Sequence, residues 1–191
     1  TSYSSETEPN ENNQSADSVD FDQTIWGSID NADDIDTYEI DVADSGRFTV
    51  SLSTKEFDGD GWRFSVEDAA GNVLAASVCD QYTCAGQDKR VSIPGGLTEV
   101  GQYYVVVSGA GGRPPKTSYQ LLATYGSETS GIEFEPNDGF ELAQKIDLSE
   151  AVIGSLSSNL DVDVYELDIP TPGRLVLNLD AMGVSDDGWR Y

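Results

Sequence analysis

Two acidic motifs, each present twice in this 191-residue chain, hold the side chains best suited to chemistry. The first is Glu6-Thr7-Glu8-Pro9-Asn10-Glu11, which returns as Glu133-Phe134-Glu135-Pro136-Asn137-Asp138. About 25 residues after each run comes an Asp-x-Asp-x-Tyr segment. It is Asp34-Ile35-Asp36-Thr37-Tyr38, with Asp33 before it, in the first case and Asp161-Val162-Asp163-Val164-Tyr165 in the second. The proline fixes its own φ and keeps the residue before it extended, so the run reads as a preset ligand arm. Carboxylates gathered in this way repel one another unless a cation compensates. A calcium ion takes roughly 6 to 8 hard oxygens, which glutamates, aspartates, an asparagine carbonyl and backbone carbonyls supply. Without imidazole or thiolate among them, zinc and copper match poorly. The plainer reading is two separate acidic loops exposed to water; recurrence of the pair favours a cation site.

The recurrence is ungapped. Glu8 matches Glu135, Gly27 matches Gly154, Asp36 matches Asp163, Gly46 matches Gly173 and Trp62 matches Trp189, each pair 127 positions apart (163 minus 36, for instance). A constant offset indicates tandem duplicated domains. The expected organisation is a linker end at 1–5, a complete unit at 6–125, a Gly/Ser-rich linker at 126–132 and the first half of a second unit at 133–191. Tyr191 stands at the position of Phe64, roughly halfway through the unit. Half a sandwich leaves strand edges and an apolar face without partners. The expectation is therefore a piece of a longer multidomain protein.

The elements that must position the acids read as strands. Residues 16–24 are polar and read as a connection, and Ile25-Trp26-Gly27-Ser28-Ile29 has strand composition, with Trp26 expected in the core. Asp36 to Val42 alternates with period two, placing Tyr38, Ile40 and Val42 on one face. After Ser45-Gly46 the segment Arg47 to Leu52 does the same with Phe48, Val50 and Leu52, and the two read as a hairpin. Further strands are expected at 62–66, 73–76, 90–93 (closed by Pro94-Gly95-Gly96), 101–107 as a central strand and 119–125. No segment holds a helical period for three turns. The fold class is all-β: a jelly-roll-like antiparallel β-sandwich in tandem repeat.

Thirty-five acidic against ten basic residues leave a formal charge of -25, which opposes binding to nucleic acid and anionic membranes. An acidic shell that keeps a secreted or salt-adapted protein in solution accounts for the same charge. No apolar run approaches the roughly 20 residues of a membrane span. Cys79 and Cys84 enclose a short polar loop and read as a hairpin disulfide of an oxidising compartment, two free thiols being the alternative. The absence of histidine excludes Ser-His-Asp and Cys-His catalysis. Carboxylate pairs of the kind that hydrolyse glycosides arise cheaply in so acidic a chain. Asp60-Gly61-Trp62-Arg63, with its twin at 187–190, offers an aromatic platform for a ligand, although a tryptophan between a turn and a strand more often fills the core. Tyr103 and Tyr104 point to opposite faces, which makes Tyr104, with Trp62, a possible ligand surface.

The chain resembles the bacterial pre-peptidase C-terminal domain family, including the collagen-binding domains of clostridial collagenases. The resemblance rests on Glu6 to Glu11 with Ala16, on Gly27-Ser28-Ile29, on Asp34 to Tyr38, on Gly46 to Val50 and on Gly101 to Val107. It implies a non-catalytic jelly-roll sandwich attached to a secreted peptidase or polysaccharide-degrading enzyme. In such a module the acidic segment folds back to close a calcium site. Carried over by position, the ligands would be Glu6, Glu8, Asn10 and Glu11 with Asp33 and Asp36, Asp34 competing with Asp33. In the second copy they would be Glu133, Glu135, Asn137 and Asp138 with Asp163, Asp161 serving where Leu160 replaces the earlier aspartate. Glu11 stands where an aspartate is usual. The aromatics that follow the Tyr-Tyr strand in collagen binders are replaced by Ser108-Gly109-Ala110-Gly111, so collagen recognition is not implied. The expected partners are a parent hydrolase in cis and an extracellular polymer. The alternative is a calcium-stiffened repeat of a bacterial surface adhesin.

Overall fold

In the computed structural model, residues 2–44, 46–56, 59–80, 90–98, 100–126, 131–134, 137–154, 156 and 161–180 are described, with backbone alone at Ser2 and 90–98. Ten described strands lie between residues 2 and 126: β1 Ser2–Ser5, β2 Asp17–Ser18, β3 Gln23–Gly27, β4 Ile35–Val42, β5 Gly46–Ser53, β6 Trp62–Asp68, β7 Val73–Cys79, β8 Arg90–Thr98, β9 Gly101–Gly109 and β10 Tyr119–Gly126. They form two five-stranded sheets, ordered β1-β3-β10-β5-β8 and β2-β4-β9-β6-β7. Pairing is antiparallel except where β1 joins β3 and β2 joins β4. The architecture is an all-β sandwich.

Alternation along the central strands fills the space between the sheets. Phe48, Val50 and Leu52 of β5 meet Tyr38 and Ile40 of β4, Phe64 and Val66 of β6, Val105 and Val107 of β9, and Tyr119 and Leu121 of β10. Burying one such side chain fully contributes roughly 1.5–3 kcal/mol. Trp62 lies at one end of this core, fully buried, with its ring edge-on to Tyr119 at 6.1 Å. It is a core residue and not a ligand surface, because the turn at Gly59 and Gly61, both at positive φ, delivers it inward at the start of β6.

Several expectations are corrected. Residues 2–5 are a strand, since their backbone pairs with β3 from Ser2 opposite Gln23 to Ser5 opposite Trp26. The connection at 16–24 contains β2 and the start of β3. The segments read as a hairpin, β4 and β5, belong to opposite sheets: β4 pairs with β2 and β9, and β5 with β8 and β10. Both are interior strands whose apolar faces meet across the core, a pattern that local alternation cannot distinguish from a hairpin. β8 runs through Pro94-Gly95-Gly96, its ladder with β5 shifting register between Arg47 and Thr49. Trp26 is half-buried and stands outside the core cluster, because Ile25 takes the inward position on β3. Cys79 ends β7 buried in the core, while Cys84 lies outside the described residues.

Beyond residue 126 the described strands are β11 Gln144–Ile146 and β12 Tyr165–Leu167, paired in parallel. Leu175, Leu177 and Leu179 are exposed. Their equivalents 127 positions earlier, Phe48, Val50 and Leu52, are fully buried.

Candidate metal centre

The ligand arm is pinned to the sandwich by backbone and side chain together. Glu6 N–H donates to the Trp26 carbonyl at 3.0 Å, continuing the β1 ladder, and Thr37 N–H donates to the Asn10 carbonyl at 2.9 Å. The Thr7 N–H donates to Asp17 Oδ2 at 2.7 Å. Between these anchors the chain passes through a cis peptide at Glu8-Pro9. Glu6 reaches inward: its Oε1 accepts from the Ser28 N–H at 2.7 Å, and its Oε2 accepts from the Tyr38 hydroxyl at 2.9 Å. Gly27 makes room for it. A Cβ at that position would overlap the Tyr119 hydroxyl and lie 2.6 Å from Glu6 Oε2.

The fold thereby brings three acids to one point. Glu6, Glu8 and Asp36 each offer a carboxylate oxygen, all within 4.8 Å of one another. Asp36 is fully buried, and the Tyr119 hydroxyl donates to its Oδ2 while its Oδ1 has no hydrogen-bond partner. Asn10 is also fully buried, and neither its carboxamide oxygen nor its nitrogen has a partner. A buried carboxamide left wholly unsatisfied costs several kcal/mol by desolvation alone, on the order of 1–3 per group. Such a residue calls for a partner beyond the protein's own groups, an ordered water or an ion.

Electrostatics points the same way. Burial pushes the Asp36 carboxyl up to about 9, with the negative charges of Glu6 and Asp34 acting in the same sense and the Tyr119 hydrogen bond opposing. Glu8 is also raised, first by burial and then by Asp34. Tyr38 and Tyr119, beside these acids in the interior, are raised above the ordinary tyrosine range, again chiefly by burial. In each case burial is the first cause and neighbouring negative charge a further one in the same sense, and a cation bound there would offset both.

Of the remaining candidates, Asp34 is buried and accepts from the Asp30 N–H at 2.5 Å. Glu11 and Asp33 are exposed and stand outside the group of three. Sequence reasoning missed Tyr119 and Ser28 as parts of the site. Tyr38 and Tyr119 hydroxyls lie 2.5 Å apart beneath the acids, yet Tyr119 is 83 residues from Asp36 and no local spacing relates them.

The second acidic run makes the same contacts at the same offset. Glu133 N–H donates to the Ile153 carbonyl at 3.0 Å, Val164 N–H to the Asn137 carbonyl at 3.1 Å, and the Tyr165 hydroxyl to Glu133 Oε1 at 3.0 Å. Gly154 faces the Glu133 carboxylate as Gly27 faces Glu6. Glu133 and Asn137 are buried, Asp161 and Asp163 half-buried, and Asp138 is exposed and accepts from the Val162 N–H at 3.3 Å. Glu135 lies outside the described residues. Tyr104, the other possible ligand surface, faces away from the core but is only 6% exposed, its hydroxyl donating to Gln102 Oε1 at 3.0 Å.

With this geometry in place, similarity to known proteins becomes informative. The chain is 25% identical over 185 residues to Collagenase ColA of Clostridium perfringens, which covers 92% of this chain and 16% of that protein. It is 24% identical over 190 residues to Collagenase ColT of Clostridium tetani, covering 94% and 18%. The likeness is to collagenases, and the resemblance read from the motifs is thus borne out. It spans less than a fifth of their length, so it concerns one region of each. Among solved structures, the pre-peptidase C-terminal domain of collagenase from Bacillus anthracis matches 62% of this chain and all of that one, with 19% identity and a TM-score of 0.45. No family model matches the chain.

Proposed function

We propose that the chain is a non-catalytic accessory module of a secreted bacterial hydrolase, a peptidase or polysaccharide-degrading enzyme, and that calcium braces it. The observation that carries the calcium reading is the convergence of the Glu6, Glu8 and Asp36 carboxylates, joined by a buried, unpartnered Asn10 carboxamide on the same arm, whose backbone N–H donates to Glu8 Oε2. The donor set is all oxygen, mixes carboxylate with amide, and lacks sulfur and imidazole, which suits a hard cation of flexible coordination. Glu6, Glu8, Asn10 and Asp36 would hold the ion, with Asp34 at its border. Bound there, calcium would supply the missing countercharge and tie the arm at 6–11 to β4.

The accessory role draws support from the share of each collagenase that the chain matches, 16% and 18%, which leaves most of those proteins outside the likeness. The parent hydrolase would be a partner in cis, and an extracellular polymer the partner in trans. An extracellular setting agrees with the acidic surface and with a Cys79–Cys84 pair. A second reading, a calcium-stiffened repeat of a surface adhesin, is favoured by one observation: the contacts of the second acidic run repeat those of the first at an offset of 127 residues (133 minus 6). Isothermal titration of the chelator-stripped chain with calcium tests the brace. Saturable heat is expected, weakened by Glu8→Gln with Asp36→Asn; no heat would sink the reading. Many further copies at this spacing in the full gene, with no hydrolase domain, would favour the adhesin.

A further inference from the structure

We propose that the outer face of the β1-β3-β10-β5-β8 sheet docks a neutral polysaccharide lying flat across its strands. The inference deepens the reading of the chain as a polymer-binding accessory module and rests on it. Strand register defines the face. One outward row runs Tyr3, Thr24, Leu122, Ser51, in which Thr24 and Ser51 are buried and Tyr3 is exposed, and the next runs Ser5, Trp26, Gln120, Ser53, with Ser5 exposed and the others half-buried. Thr124 opposite Thr49 extends the pattern, and Gly126 opposite Arg47 ends it. In a chain with 35 acidic residues, none of these positions is an aspartate or glutamate. The charges present are cationic: Arg47 at one end and, at the other, the exposed Lys55, whose ammonium sits 5.3 Å from the centre of the Trp26 ring. The opposite sheet differs, its outward positions bearing Glu39 and Glu67 on either side of Tyr104, and Asp41 opposite Gln102.

This chemistry selects the partner. A protein interface is usually built on a cluster of apolar and aromatic anchors, and Leu122 is the one aliphatic side chain in these rows. An anionic polymer would meet the field of a molecule of formal charge -25. A neutral glycan carries no charge for that field to repel, and in these rows it meets no carboxylate to compete for its hydroxyls. The hydroxyls of Ser5, Thr49, Ser53 and Thr124 and the Gln120 carboxamide, all at least partly exposed, can exchange hydrogen bonds with sugar hydroxyls, and aromatic rings can cover the apolar faces of pyranoses. Tyr3 is 68% exposed, and Trp26 lies one strand over and one row along, a diagonal of about 8 Å on an ordinary sheet. The ladder across β1, β3, β10 and the part of β5 that carries these rows runs without a register shift, so each row is continuous from strand to strand.

Depletion isotherms of the 191-residue chain on microcrystalline cellulose, chitin, alginate beads and gelatin beads, in calcium, test the proposal. Saturable binding to cellulose or chitin is expected, reduced at least tenfold by Tyr3→Ala and by Thr49→Glu, which places an acid on the face without touching the core. Trp26→Ala should do the same. Binding to neither neutral polymer, binding to alginate or gelatin alone, or cellulose and chitin isotherms unmoved by Tyr3→Ala and Thr49→Glu would overturn it. Binding to alginate or gelatin alone would sink the face while leaving polymer binding in place, whereas binding to none of the four would sink both.

Discussion

At the scale of single residues, the site is a set of anions that the fold forces together. Asp36 is the most constrained of them, buried beneath the Glu6 and Asp34 charges and pushed up to about 9. A carboxyl raised above its unfolded value keeps a proton that the unfolded chain gives up. The Asp36 contribution to the stability of the calcium-free protein should therefore be greatest below about pH 4 and decline as pH rises towards about 9. Urea midpoints at pH 5 and pH 8.5 in chelator check this: the midpoint is expected to drop at the higher pH in the parent chain and to drop much less in Asp36→Asn. Equal slopes in the two proteins would place the titration elsewhere. Gly27 is the other exacting residue. A methyl group there meets the Tyr119 hydroxyl and the Glu6 carboxylate, both fixed by hydrogen bonds. Gly27→Ala should cost about 1–3 kcal/mol in chemical denaturation and weaken calcium binding with it. An alanine variant of unchanged midpoint and affinity would show that the arm does not need this close approach.

At the scale of elements, the site is the meeting of an arm with one strand from each sheet: β4 supplies Asp36 and Tyr38, and β10 supplies Tyr119. The buried Trp62 packs edge-on to Tyr119, whose hydroxyl donates to Asp36. Trp62→Ala is expected to cost about 3–5 kcal/mol, measured as a shift in the urea midpoint, and an effect under about 1 kcal/mol would show that the end of the core can collapse around the loss. How far this was legible in the sequence follows from the physics of each part. Strands β4, β5 and β6 announce themselves by alternation, because each buries one face, and β9 by its continuous apolar run. The carboxylates announce the site because like charges at close spacing call for a cation and because the motif occurs twice. Pairing is another matter. Alternation says which face is buried but not which neighbour covers it, so β4 and β5, adjacent in sequence, read as partners although they lie in opposite sheets. β1 carries no signal at all: Ser-Tyr-Ser-Ser becomes a strand only because the edge of β3 offers it hydrogen bonds. Trp26 misled for a related reason, since its composition suggests burial while the register of Ile25 turns it outward.

At the scale of the whole molecule, charge dominates. A formal charge of -25 makes the compact state repel itself, and cations of any kind relieve this. Raising sodium chloride from low to physiological concentration should stabilise the chain modestly, the Debye length shortening to about 8 Å. Calcium at millimolar concentration should do far more than sodium at equal ionic strength, because it acts at a site and not only by screening. Equal gains from the two salts at matched ionic strength would reduce calcium to a screening ion. The most direct test of the account compares the thermal unfolding of the parent chain with that of Glu8→Gln/Asp36→Asn, each in chelator and in saturating calcium. Calcium at about a hundred times its dissociation constant should add about 2.7 kcal/mol to the parent, a rise in midpoint of roughly 10 °C, and little to the variant. An equal rise in both proteins, or none in the parent, would contradict a calcium brace built on these carboxylates.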